Sequence, residues 1–291
     1  MDLHPPTVLC IGGHDPSGGA GIGADAEAVR AAGAFALTVV TALTDQDTLG
    51  VRAVYPQPPA QIEAQCRALL ADGVPAAIKI GLIGDARLVP VLCTIMDDHP
   101  GLPVVLDPVL ASGAGRPLAD TALVQALRAD LLRRVTVVTP NLPEAQRLSG
   151  AVDAPACARH LLAAGARWVL ITGTHEDAPD VTNRLYGSDR LYGSDRLYGS
   201  DRYGSDLYGD DGSEQTQTWP RLPGEYHGSG CTLASAIAAR LALGLTVPTA
   251  VAAAQAYTWT SLARAFRTGR GQLTPNRLFD LPTPADTGAA P

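Results

Sequence analysis

The sequence predicts an α/β fold with a mainly parallel central sheet flanked by helices on both faces. Three observations carry this expectation. Short β-rich runs alternate with alanine-rich stretches of helical length between residues 7 and 173. The β-rich runs are continuously apolar instead of alternating, as in strands buried on both sides. The residues with chemical character follow directly after the runs, where the loops beyond the carboxyl ends of parallel strands gather ligands.

The elements follow in chain order. TVLCIGG (7–13) is the first strand, and its glycines lead through HDPSGGAGIGAD (14–25) into a helix over 20–32. FALTVVTAL (35–43), AAIKIG (76–81), PVVLDP (103–108), VTVVTP (135–140) and RWVLITG (167–173) are the further core strands, with helices predicted over 58–71, 85–98, 119–132 and 155–164. LASAIAARLALG, closed by Gly244, has an apolar stripe and good helix formers. VRAVYP (51–56) and EQTQTWPRL (214–222) mix polar and apolar residues and do not fit that core; they read as a small β flap.

The chain has 291 residues, 46% of them hydrophobic, which suits one sizeable core and a single domain over residues 1–280. Three consecutive copies of RLYGSD (184–201) and two degraded ones make 184–210 a repetitive insertion, rich in Gly, Ser and Asp and too short for a self-sufficient solenoid; a flexible hairpin tip is expected. The tail from 281 to 291 is expected to be disordered. A net charge of -7 argues against a nucleic-acid or anionic-membrane surface. No apolar run approaches the roughly 20 residues of a membrane span, and MDLHPPTVLC lacks the features of a signal peptide, so a cytoplasmic location is expected. Cys10, Cys66, Cys93, Cys157 and Cys231 are scattered and odd in number, without a C-x-x-C, which suggests free thiols in place of a disulfide framework or zinc site.

Three stretches carry chemistry. In GEYHGSGCTLAS (224–235), Gly228-Ser229-Gly230 falls on the first turn of a helix, where unpaired N–H groups and the helix dipole form a site for phosphate. The same field would make Cys231 partly thiolate and able to take a proton; the alternative is a small buried residue at a tight turn. HDPSGGAGIGAD is neither a P-loop nor a dinucleotide fingerprint, which leaves a glycine-rich loop for a small flat molecule. In it Asp15 can cap the turn, and Asp25 can be a solvated helix carboxylate. TPNLPEA (139–145) sets Asn141 and Glu144 three residues apart, suiting either a hydrated magnesium carried with nucleotide phosphates or an ordinary capping arrangement. Asp107 is a third oxygen-ligand candidate or a strand-end cap. Together these are parts for phosphoryl transfer, which depends on positioning and charge stabilisation.

HDPSGGAGIGAD, TALTDQDT, KIGL, DPV, TPNLPEA and HGSGCTLASA, in this order over nearly the whole chain, resemble the hydroxymethylpyrimidine/phosphomethylpyrimidine kinases of thiamine biosynthesis, in the ribokinase-like superfamily. The cysteine after G-S-G separates this group from sugar kinases, which carry Asp there. The resemblance implies ATP and Mg2+ as cofactors and a small pyrimidine as substrate, phosphorylated first at its hydroxymethyl group and again as the monophosphate. It implies that Asp25 and Gln46 hydrogen-bond the aminopyrimidine, that Leu82 and Val109 pack on the ring, and that Asp107, Asn141 and Glu144 lie at the metal. Thr172 and Gly173, with Asn141, fall on the nucleotide side; Gly228, Ser229, Gly230 and Cys231 form the anion hole and base. A homodimer is an assembly the reading admits. The chain departs from the pattern at Thr172-Gly173-Thr174-His175, where many members have K-G-G-H, at Leu82, which stands for a methionine, and in the RLYGSD copies. Two other functions fit these residues: a pyridoxal or pyridoxine kinase, and a non-catalytic pyrimidine sensor, the latter suggested by the missing lysine.

Overall fold

A computed structural model describes residues 4–113, 115–174, 178–187 and 214–281. Its strands are β1 (Thr7–His14), β2 (Phe35–Asp47), β3 (Gly50–Pro56), β4 (Ala77–Ile80), β5 (Val104–Leu106), β6 (Val137–Val138), β7 (Trp168–Ile171), β8 (Asp180–Gly187) and β9 (Glu214–Pro220). They form one sheet in the order β3-β2-β1-β4-β5-β6-β7-β8-β9. The six strands from β2 to β7 in that order are parallel; β3 at one edge and β8 and β9 at the other run antiparallel to their neighbours.

The helices are α1 (Gly21–Ala31), α2 (Pro59–Asp72), α3 (Val89–Asp98), α4 (Thr121–Ala126), α5 (Leu142–Ser149), α6 (Ala154–Ala163), α7 (Ser229–Ala242) and α8 (Val247–Ala263). Burial on both faces explains the unbroken apolar runs. In β1, Leu9 and Ile11 join the core beneath α2 to α6, while Val8 and Cys10 join the core beneath α1, α7 and α8.

Several expectations are refined. The predicted helix over 119–132 is α-helical only to Ala126; a π-helical segment, Leu127–Leu131, and a 3-10 turn, Leu132–Arg134, follow. The 51–56 run is the return strand of a hairpin that prolongs β2 past the sheet, with a register shift between Asp45 and Gln46. The 214–222 run is the edge strand beside β8. The first RLYGSD copy begins inside β8, since Arg184–Tyr186 pair with both β7 and β9 and Gly187 pairs with β7. The copies over 188–210, and the tail beyond 281, lie outside the described residues.

The strand order places β1 between β2 and β4. The chain winds outward in one direction from β1 to β2 and in the other from β4 onward, so the crevice at the carboxyl ends of β1 and β4 is a topological switch point, the usual ligand position in open α/β sheets.

Candidate active site

The first turn of α7 lies over this crevice. Gly228 precedes the helix at φ 79°, a left-handed conformation that favours glycine, and a Cβ there would stand 2.0 Å from the carbonyl oxygen of Gly19. Among the described residues no side chain caps this helix, and the N–H groups of Ser229, Gly230 and Cys231, at its first positions, have no intrahelical acceptor, which suits them to an anion. A completely buried arginine joins the two glycine-rich loops. Arg277 donates to the Gly19 carbonyl through Nη2 and, through Nε, to Thr232 Oγ1 at 2.7 Å; Glu27 lies 3.1 Å from its Nη1. Nothing local in TPNRLFD marks this role, because Arg277 meets its partners only in the folded chain.

Cys231 departs from expectation. Desolvation is the largest influence on its thiol, which Asp107 and Asp25 also push up; Lys79 and the Gly21 backbone pull it down less, and the result is a thiol pushed up to about 12. At neutral pH Cys231 is a thiol, not the expected partial thiolate. The dipole of the helix start is outweighed by the loss of water and by two nearby carboxyl groups. Asp107 is among the charges that act on the thiol, and its own carboxyl is raised above the usual range by burial and by Asp25, against the opposing pull of Lys79 and Cys231. Asp107 also adjoins the α7 turn, its two carboxyl oxygens each 3.7 Å from where a Cβ on Gly230 would lie.

Asp25 is not a solvated helix carboxylate. It is fully buried, and its Oδ1 accepts hydrogen bonds from Lys79 Nζ and Ser235 Oγ, each at 2.7 Å, while Oδ2 has no partner among the described residues. That free oxygen lies toward the carboxyl end of β1, 3.6 Å from where a Cβ on Gly12 would stand. Lys79, the chain's sole lysine, lies on β4 with its side chain 1% exposed. Burial weakens its charge, but Asp25, Cys231 and Asp107 more than compensate, so the ammonium form is strengthened. One lysine in a four-residue buried strand was the available signal for this ion pair.

At the ends of β6 and β7, Asn141 and Glu144 make a complete capping box on α5. Asn141 Oδ1 accepts from the Glu144 N–H at 2.9 Å, and Glu144 Oε2 accepts from the Asn141 N–H at 3.1 Å. Glu144 Oε1 also accepts from the Leu110 N–H at 3.1 Å. Burial first, and the Asp107 charge second, raise the Glu144 carboxyl to about 8 despite these backbone donors. Thr172 pairs with Asn141 in a parallel bridge, so two of the nucleotide-side candidates are neighbours. Gly173 is occupied: its N–H donates to Asn183 Oδ1 at 3.0 Å, and a Cβ would meet the Thr182 carbonyl oxygen at 2.2 Å. His175 lies outside the described residues.

The remaining ring-reading candidates stand on other elements. Leu82, after β4, packs on Gly13, whose Cβ would stand 2.8 Å from Leu82 Cδ2. Val109 is half-buried two residues past Asp107 and donates its N–H to the Asp107 carbonyl at 2.9 Å. Gln46, at the tip of β2, reaches His227, with its amide nitrogen 2.7 Å from Nε2. The same Nε2 lies 2.8 Å from Asp15 Oδ2. Asp15 does cap its turn, accepting from Ser17 N at 2.9 Å and from Ala20 N at 2.8 Å. Its burial is outweighed by hydrogen bonds from His227 and Ser17, which hold the carboxyl below its ordinary value. His227, inside the HGSGC motif, was not singled out from the sequence.

Known proteins resemble this chain over nearly its whole length. Residues 15–276 match the family model described as phosphomethylpyrimidine kinase. A hydroxymethylpyrimidine/phosphomethylpyrimidine kinase of Mycobacterium tuberculosis is 39% identical over 287 residues, 96% of each chain. Among solved structures, the pyridoxal kinase from Staphylococcus aureus in complex with AMP-PCP and pyridoxal is similar at a TM-score of 0.79 and 25% identity, covering 95% of each chain. The phosphomethylpyrimidine kinase from Clostridium difficile 630 is similar at a TM-score of 0.69 and 29% identity, covering 87% of this chain and 97% of that one. With a ribokinase-like sheet shared with these structures, and with the match running almost end to end, this chain belongs to the phosphomethylpyrimidine kinase family and is a kinase.

Proposed function

We propose that this protein transfers the γ-phosphoryl group of ATP to the hydroxymethyl oxygen of 4-amino-5-hydroxymethyl-2-methylpyrimidine, and in a second round to the resulting monophosphate, for thiamine biosynthesis. The observation that carries the reading is the uncapped α7 turn bearing Cys231 beside Asp107, with Gln46 and Asp25 at the same switch point. In the first round the hydroxymethyl oxygen bonds to the γ-phosphorus as the bond to the β-phosphate oxygen breaks. The hydroxyl proton passes to the Cys231 sulfur while the S–H proton passes to Asp107, so Cys231 ends as it began and Asp107 ends protonated. A carboxyl whose protonated form is already favoured by burial suits that final acceptor. The N–H groups of Ser229, Gly230 and Cys231 take up the charge on the transferring phosphoryl oxygens. Asp25 Oδ2, an acceptor with no partner, suits a ring amine, and Leu82 and Val109 supply apolar contact.

The donor set also fits magnesium. The Asp107 charge raises the Glu144 carboxyl, a repulsion that a cation would relieve, and each Glu144 oxygen, with one backbone N–H bound, keeps a lone pair. Among the described residues no group of three His, Cys, Asp or Glu side chains encloses a metal site, so Asp107, Asn141 and Glu144 would hold a hydrated ion carried with the phosphates. Such an ion, when bound, neutralises phosphate charge. Asn141 and Thr172 would flank the nucleotide; Gly173 would act by its lack of a side chain, since its N–H is used. We read residues 1–280 as one domain acting in the cytoplasm, in keeping with the lack of any helix among the described residues long and apolar enough to cross a membrane. A homodimer is part of this proposal.

The similarity to the pyridoxal-bound Staphylococcus aureus kinase supports a second reading, phosphorylation of pyridoxal, whose hydroxymethyl group also sits on a six-membered nitrogen ring. A coupled ADP-release assay with the hydroxymethylpyrimidine, its monophosphate, pyridoxal and ribose separates the two. The pyrimidine should give the highest kcat/KM; preference for pyridoxal would replace the first reading with the second, and no turnover on any of them would favour the sensor.

A further inference from the structure

We propose that His227, anchored by Asp15, fixes the orientation of the Gln46 amide and so decides which hydrogen-bonding edge of a pyrimidine this site accepts. The inference rests on the pyrimidine-kinase reading and adds to it a specificity-determining positioning residue. Asp15 is surrounded by donors: the Ser17 N–H and O–H meet Oδ1 at 2.9 and 2.8 Å, and the Ala20 N–H meets Oδ2 at 2.8 Å. A carboxyl in that setting is an ionised acceptor, so the 2.8 Å contact from His227 Nε2 to Oδ2 requires the proton on Nε2. An Nε2 that bears a proton has no lone pair left. With the Gln46 nitrogen 2.7 Å away, N–H would point at N–H.

A half-turn of the Gln46 amide resolves the conflict without moving any heavy-atom position, because its oxygen and nitrogen are interchangeable in shape. Oε1 then shares the Nε2 proton with Asp15, and the NH2 turns away from His227 as a donor. Both the neutral Nε2–H tautomer and the imidazolium give this result. Gln46, free in solution to offer either end, becomes a donor of fixed sense. The matching edge of an aminopyrimidine is a ring nitrogen with its lone pair, next to an amine that Asp25 Oδ2 can accept. In the 4-oxo analogue that ring nitrogen carries a proton, and the pairing fails. The loop is shaped for the imidazole: a Cβ on Gly19 would stand 2.2 Å from His227 Cδ2.

The test is isothermal titration of the 4-amino-5-hydroxymethyl-2-methylpyrimidine and its 4-oxo counterpart, with ADP-release kinetics on both. The parent should bind the amino form at least about tenfold more tightly, the size of one mispaired buried hydrogen bond. His227→Leu should narrow that ratio to within about threefold, mainly through KM and not kcat. His227→Gln should keep it, because its side-chain amide can donate at the place of Nε2. Gly19→Ala, which displaces the ring without removing a polar group, should narrow it as His227→Leu does, and it serves if the leucine variant does not fold. A purely structural role would weaken both ligands equally and leave the ratio at the parent value; that result overturns the proposal, as does a parent that favours the 4-oxo ring. A parent that binds neither pyrimidine overturns the functional reading and this inference with it.

Discussion

Cys231 shows how far a residue's neighbourhood can override its local motif. The helix start predicts a lowered thiol pKa, but burial and two carboxyl groups push it up to about 12. Its thiolate fraction at pH 7.5 is then on the order of 10³ smaller than that of an ordinary cysteine, and iodoacetamide should alkylate it correspondingly slowly; labelling as fast as that of a free thiol would restore the thiolate picture. Cys231→Ala should leave pyrimidine binding nearly intact and lower kcat by about 10²-fold, the usual scale for a proton-transfer group. Parental turnover in that variant would make Cys231 a packing residue. Asp15 gives a pH signature. Its folded-state pKa is depressed, so its stabilisation is present above the ordinary carboxyl value of 3.8 and is lost as pH falls through the folded value. The stability gap between the parent and Asp15→Asn in urea titrations should therefore be full at pH 6 and shrink below about pH 3.8; a gap independent of pH would remove the ionised Asp15 from the account. Motifs made Cys231 and Asp107 visible in the sequence. Lys79, His227 and Arg277 stayed hidden because their partners lie 54, 212 and 258 residues away.

At the scale of elements, legibility followed periodicity. The core strands and α1, α2, α3, α6 and α7 were marked by apolar runs or stripes, but α8 was not anticipated: VPTAVAAAQAYTWTSLA is small and apolar on nearly every side, so no stripe stands out. The break of the 119–132 helix into π and 3-10 turns has no sequence mark, since LRADLLRR is good helix material throughout. At α5, both sequence readings of Asn141 and Glu144 meet in one device: the capping box fixes the helix start whose carboxylate we assign to the metal. Asn141→Ala should cost about 1 kcal/mol in a denaturant melt, as for other lost N-caps. Glu144→Gln should raise the magnesium concentration for half-maximal rate by a larger factor than it raises the pyrimidine KM. Overlapping magnesium titrations for parent and variant would leave Glu144 as a cap alone.

Across the whole molecule, the sheet's switch point is tied together by one buried ion pair. Lys79 from β4, Asp25 from α1 and Ser235 from α7 meet between the sheet and its helical cover, the lysine and aspartate side chains 1% and 0% exposed. A buried pair of this kind adds little relative to well-packed apolar residues, because the cost of removing two charges from water offsets their attraction; breaking it by removing one partner, however, strands a charge and typically costs about 3–5 kcal/mol. Lys79→Met should therefore destabilise the fold by about that amount, the more so because Asp25 Oδ2 already lacks a partner. In Lys79→Met with Asp25→Asn the stranded charge is gone and Ser235 can still donate to the amide oxygen. The double variant should be more stable than Lys79→Met alone, with a coupling of about 1–3 kcal/mol in a double-mutant cycle of urea melts. Strict additivity would show that the two groups do not compensate each other. The same variant separates stability from recognition: if Asp25 is held in place to read the ring amine, it should fold yet bind the aminopyrimidine weakly. A refolded double variant with parental pyrimidine affinity would leave the buried pair as part of the scaffold, and the ring amine would have to be read from elsewhere.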